Sequence, residues 1–138
     1  MRAVIRGAAD GAPRHLGPFH TSVWSYIGKI WTGNPDLHFE VWLRSRLGVV
    51  ELGLHFEADS LTNARLLGAF RARQAEVHRA LGRDALVEEW DKGWARVYET
   101  HRVEDATLLA ERLRAYVAAL EPILRDELPA DVSWKLRR

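Results

Sequence analysis

The chain has 138 residues, the size of one ordinary domain, and its 47% hydrophobic and 28% charged residues exclude a disordered polymer. Its 20 basic and 19 acidic residues leave a net charge of +1, so no global field points to nucleic acid or an anionic membrane. Cysteine is absent, which excludes a disulfide framework, a thiolate metal site and a cysteine nucleophile.

The lack of cysteine fits a reducing cytoplasm. No apolar run approaches the roughly 18 residues that span a bilayer. The start, "MRAVIRGAADGAP", lacks the apolar stretch of a signal peptide. The expectation is a single cytoplasmic domain over residues 1–138 without membrane contact. Arginine supplies 17 of the 20 basic residues, a usage associated with GC-rich bacterial genomes.

In chain order, residues 1–19 are punctuated by Gly and Pro. They read as loop or weakly ordered chain, with a short strand at Ala3–Arg6 as the one element they could carry. Val23, Trp24, Ile27, Ile30 and Trp31 then recur at helical spacing, and Gly33 before Asn34-Pro35 reads as a stop. The spacing predicts a helix over about 21–32, although the β-rich composition also suits a strand.

The period then changes to two. Leu37, Phe39, Val41 and Leu43 alternate with His38, Glu40, Trp42 and Arg44, and Val50, Leu52, Leu54 and Phe56 alternate with Glu51, Gly53, His55 and Glu57. Two such runs around a short Gly-containing loop predict a β-hairpin over 37–57. Asp59 or Ser60 caps a predicted helix over about 60–82, which Gly82 ends. Residues 84–91 read as a short acidic helix or turn, and 93–100 as a third strand. Asp105 caps a last helix over about 105–128, which Pro122 should kink or cut short. Beyond Pro129 follows a basic tail with Trp134, Lys135, Arg137 and Arg138. This order predicts an α+β domain, a small mainly antiparallel sheet with helices on one face.

Strand parity singles out one surface. The apolar alternates share the core, so His38, Glu40, Trp42, Glu51, His55 and Glu57 share the opposite face. With the loop at Ser45–Gly48, counting outward places His38 opposite His55 and Trp42 opposite Glu51. The third strand can add Trp94, Arg96 and Tyr98 to that face.

Two imidazoles flanked by the carboxylates of Glu40 and Glu57 are a donor set for a divalent metal. The plain alternative is a one-sided sheet that turns polar residues to water. A tryptophan on a wet face, Trp42, implies a cover: the N-terminal helix with Trp24 and Trp31, a second subunit, or a ligand. Covering by the protein itself is the expectation.

The segment 60–83 carries Arg65, Arg71, Arg73, Arg79 and Arg83 against Glu76 alone, a stripe that could track phosphates, but Asp84, Glu88, Glu89 and Asp91 follow at once and offset it. The sequence has no phosphate-cradling loop, dinucleotide-binding glycine pattern or nucleophile elbow. His15, His20, His78 and His101 stand isolated.

Residues 37–124, through Glu51, Asn63, Leu81-Gly82, Trp90 and Arg96, resemble a bacterial domain of unknown function that occurs alone or at the carboxyl end of restriction-nuclease-like proteins. The resemblance implies an α+β domain with an accessory role beside nucleases, and no catalytic residue.

The sequence therefore supports a non-catalytic binding or interaction domain that uses the polar, aromatic sheet face. The alternative is a metal-dependent enzyme or metal-binding protein using His38, His55, Glu40 and Glu57. No cofactor is required by any motif, a divalent metal is the one the donors suit, and a protein partner or self-association is left open.

Overall fold

A computed structural model describes residues 1–103 and 105–132, so Trp134 and the basic tail lie outside the described residues. Among the described residues the elements are α1 (Arg2–Gly11), β1 (His20–Val23), β2 (Ile27–Trp31), β3 (Leu37–Arg44), β4 (Val49–Phe56), α2 (Ser60–Ala72), α3 (Gln74–Leu81), β5 (Leu86–Trp90), β6 (Trp94–Arg102) and α4 (Ala106–Glu127). The six strands form one antiparallel sheet in the order β1-β2-β3-β4-β6-β5. The architecture is α+β, as the alternation predicted. None of these helices is long and apolar enough to cross a membrane.

The hairpin register is the one obtained by counting. His38 pairs with His55, Trp42 with Glu51 and Arg44 with Val49. Asp59 caps α2 by accepting from the Thr62 amide, and Asp105 caps α4 through Thr107. Phe39, Val41, Leu52, Leu54, Phe56 and Val97 form the sheet side of the core. Helix α2 meets it through Leu66 and Phe70, and α4 through Leu113, Val117 and Leu120.

Four sequence expectations are corrected. Residues 2–11 are helical, not loop: Val4, Ile5 and Ala8 form a buried stripe, so packing on α4 stabilises a helix too short to persist alone. A Cβ at Gly28 would fall 2.3 Å from the Ile5 side chain, so the bare glycine in β2 is where α1 seats.

Residues 21–32 form β1 and β2, not a helix. Their apolar positions fit either period, and pairing with β3 decides in favour of strand. Residues 84–91 hold β5 rather than an acidic helix, because Val87 needs the sheet side of the core and Glu88 takes the opposite face. The helix expected over 60–82 is divided at Arg73, whose backbone (φ −103°, ψ 19°) turns the chain between α2 and α3. Pro122 lies inside α4, which runs on to Glu127.

One buried group in this layer sets a pH dependence. Glu121 is 1% exposed, accepts from the Thr32 hydroxyl at 3.1 Å on both oxygens and lies 3.6 Å from Arg125. Burial raises its carboxyl above the usual range, and the Arg125 charge and Thr32 hydrogen bond offset this only in part. The folded state therefore binds the proton more tightly than the unfolded one. The stability this contributes is full below the ordinary carboxyl range and is lost as pH rises through the folded value. Glu121→Gln is expected to raise the melting temperature at pH 8 and to leave it nearly unchanged at pH 4. Equal shifts at the two pH values would contradict the assignment.

Candidate functional site

The surface opposite the helices is polar in sequence but not wet. His38, Glu40, Glu51, His55 and Arg96 are buried there, none more than 8% exposed. The expectation of a solvated polar face is thus overturned. The cover over His55, Trp42 and Arg96 is the chain's own, not an N-terminal helix but Trp90, from the segment expected to be a short acidic helix or turn. The Trp90 indole meets His55 edge-on at 5.9 Å between ring centroids, Trp42 at 6.2 Å and Trp94 at 6.0 Å. The Arg96 guanidinium lies 4.3 Å from the Trp90 ring centre and 3.6 Å from that of Tyr98.

Gly53 sets how closely two central strands approach on this face. It points to the polar side between Glu40 and Tyr98 in the register. A Cβ there would lie 2.1 Å from the Val97 carbonyl oxygen and 2.6 Å from the Tyr98 Cα. The β4 and β6 backbones therefore approach on this face more closely than any side chain permits, and a glycine inside a strand marks such an approach.

The polar side chains fall into two groups. In the first, His38, Glu40, His55 and Glu57 each offer one donor atom, all within 4.8 Å of one another. His38 Nδ1 is 2.8 Å from the Pro35 carbonyl oxygen, which can only accept. Nδ1 therefore carries the proton, and Nε2 faces Glu40 Oε1 at 3.1 Å and Glu57 Oε1 at 3.8 Å. His55 Nδ1 lies 3.0 Å from Glu57 Oε2, so it donates there, and its Nε2 faces Glu40 Oε2 at 3.7 Å. The Glu40 carboxylate thus looks at the Nε2 atoms of both rings. Two acceptors face each other unless a positive charge, a proton or a cation, lies between them.

Burial raises the Glu40 carboxyl, but the His38 hydrogen bond and the charges of His55, His38 and Lys29 outweigh it and hold Glu40 below its usual range. The two rings are nearly parallel, with centroids 5.7 Å apart. Glu57 alone of the four is half-buried, so it marks the side open to solvent.

In the second group, Glu51 accepts from Arg96 Nη1 at 2.6 Å and from Arg44 Nη1 at 2.9 Å. Arg44 in turn sits over the Trp42 ring at 4.6 Å. The Arg96 Nε and Trp90 Nε1 atoms are buried without a hydrogen-bond partner. Trp94 lies at the end of the face rather than over the donors, against Trp90 and Lys92.

All the candidate residues thus share one face, but only the two histidines and two glutamates converge. Sequence reasoning missed Trp90, Lys29 and Glu88, which pair into the same face. The signal for Trp90 was "EEWDKGWAR", two tryptophans flanking a turn with an arginine two residues on. Three of the positions quoted for the resemblance, Glu51, Trp90 and Arg96, meet on this face. Asn63, another of them, is a clamp: its amide bonds both backbone groups of Ala58 and the Gly93 carbonyl. No family model, curated protein or solved structure matches the chain.

Proposed function

We propose that this chain is a non-catalytic binding domain whose polar sheet face holds a small ligand under Trp90. The observation that carries this is the burial of five ionisable side chains on a face that no described helix covers. Burying charge is costly, and an apolar face would serve stability as well or better. Side chains kept at such a cost are kept for what they bind. Holding is favoured over turnover because the converging donors face one another and include no hydroxyl or thiol nucleophile. An accessory role beside a nuclease-like protein is in keeping with this.

The test is the triple substitution His38→Leu, Glu40→Met, His55→Leu, followed by urea unfolding. The expected variant is as stable as the parent or more so, by up to about 4 kcal/mol. A loss of more than about 3 kcal/mol would make the cluster a structural ion network and overturn the proposal.

Trp24 and Tyr26, 57% and 60% exposed at the β1–β2 turn, favour in addition a protein partner or a second copy of the chain at that edge. Light scattering of the parent and of Trp24→Ser tests the second-copy form. A monomer at all concentrations would end it.

A further inference from the structure

We infer that the ligand is a divalent first-row transition ion of the zinc type, held by His38 Nε2, His55 Nε2 and the Glu40 carboxylate, with Glu57 orienting the His55 ring. The inference rests on the proposal that this face binds a ligand, and it names the ligand's chemistry.

Three features of the site select an ion. The first is tautomer. Each ring spends its Nδ1 proton on a fixed acceptor, Pro35 O for His38 and Glu57 for His55. Metal-bound histidines are oriented in this way, the far N–H donating to a carbonyl or carboxylate. Both Nε2 lone pairs are left pointing at the shared carboxylate, where an ion would accept them.

The second is charge. Two neutral imidazoles and two carboxylates carry −2, and a divalent ion makes the buried site neutral. The ring nitrogens and the carboxylate oxygens oppose each other across 3.1–3.8 Å, a gap that a cation bridges.

The third is rigidity. His38 and His55 are register partners on two hydrogen-bonded strands, and the Glu57 amide donates to the Asp36 carbonyl, which fixes the end of β4 against the start of β3. The donors now lie within 4.8 Å of one another. A tetrahedral ion with bonds of about 2.0–2.1 Å wants them about 3.4 Å apart. Small side-chain rotations of Glu40 and of the two rings, on a backbone that stays put, supply the difference.

The donor types set the class of ion. Calcium and magnesium prefer all-oxygen shells of six or more donors, whereas two imidazoles with a carboxylate suit zinc and its neighbours. The Trp90 ring packs edge-on against His55 beside these donors. Glu57, half-buried and bonded to the His55 ring, marks the side from which an ion enters.

The experiment uses the full chain, stripped with chelator, dialysed, and titrated with zinc sulfate while free zinc is followed by a competing colorimetric indicator. Metal analysis after gel filtration gives the stoichiometry. One zinc per chain is expected. His38→Ala and His55→Ala should each weaken binding at least about tenfold, and His15→Ala, an exposed histidine, should leave it unchanged. Glu40→Gln, which keeps the side-chain shape, should weaken binding as the alanine variants do, so a folding defect in those cannot mimic the result. Failure to bind stoichiometric zinc, or binding that survives both histidine substitutions, overturns the inference. If zinc fails while the triple apolar variant keeps its stability, the binding face stands and its ligand is of another class. If the triple variant unfolds, the face itself is structural.

Discussion

Gly53→Ala will cost more than about 4 kcal/mol, the range in which single substitutions are exceptional. The new methyl would lie 2.1 Å from the Val97 carbonyl oxygen and 2.6 Å from the Tyr98 Cα. Both are backbone atoms of the paired strand, so no rotamer change relieves the clash and the β4–β6 ladder must open. Domains of this size are stable by roughly 5–15 kcal/mol, so the substitution removes a large part of that stability. The loss reaches the site directly. Arg96 and Tyr98 lie on β6, and the Arg96 guanidinium that contacts both the Trp90 and Tyr98 rings depends on the position of that strand. Urea unfolding followed by circular dichroism measures the loss, and a cost under about 1 kcal/mol would show that the strands are not held so close.

Glu99→Ala, on the opposite face of β6, will cost about 3–5 kcal/mol, the range for breaking a buried ion pair by removing one partner. Glu99 is 3% exposed and gathers four donors: Arg112 Nε at 2.6 Å, Arg112 Nη2 at 2.7 Å, the Tyr116 hydroxyl at 2.7 Å and His101 Nε2. Alanine would leave the Tyr116 hydroxyl buried without its acceptor and Arg112 with the Leu81 carbonyl alone. The network ties α4 to the sheet and to the end of α3.

Burial raises the Glu99 carboxyl, but its hydrogen bonds from Arg112, Tyr116 and His101 outweigh that and keep it below its usual range. Its stabilisation is therefore full above the ordinary carboxyl range and is lost as pH falls through the folded value. The difference between parent and variant should shrink on acidification below about pH 4. A difference that stays constant from neutral pH to pH 3 would mean that the carboxylate charge is not what the network uses.

These two positions show where the sequence was legible. The β3–β4 hairpin could be read to the residue, because a period of two with one buried face admits a single register and the turn fixes the count. The caps at Asp59 and Asp105 are local chemistry, visible without tertiary context. The β1–β2 segment was not legible as strand, since Val23, Trp24, Ile27, Ile30 and Trp31 satisfy either period and only the neighbouring β3 decides. Helix α1 was hidden by Gly7, Asp10 and Gly11, poor helix formers that read as loop, although the bare Gly7 is where the helix packs against Ala110 of α4.

For the site, the identity of the converging residues was legible from parity, but their burial was not. It comes from the close approach of β4 and β6 at Gly53 and from Trp90, which packs against His55 from an edge strand. Both are properties of the assembled sheet. The network around Glu99 was invisible for the same reason: nothing near Glu99 in sequence announces Arg112 or Tyr116.

The central claim is that His38 and His55 present their Nε2 atoms to one shared ion. Two-bond proton–nitrogen correlation spectra of the imidazoles, recorded with and without one equivalent of zinc, test it most directly. With zinc, both rings should show a protonated Nδ1 and an Nε2 shifted to the metal-bound position, while His15 stays unchanged. Spectra of His38 and His55 that do not change on adding zinc, or an Nε2–H retained on either ring, would contradict it.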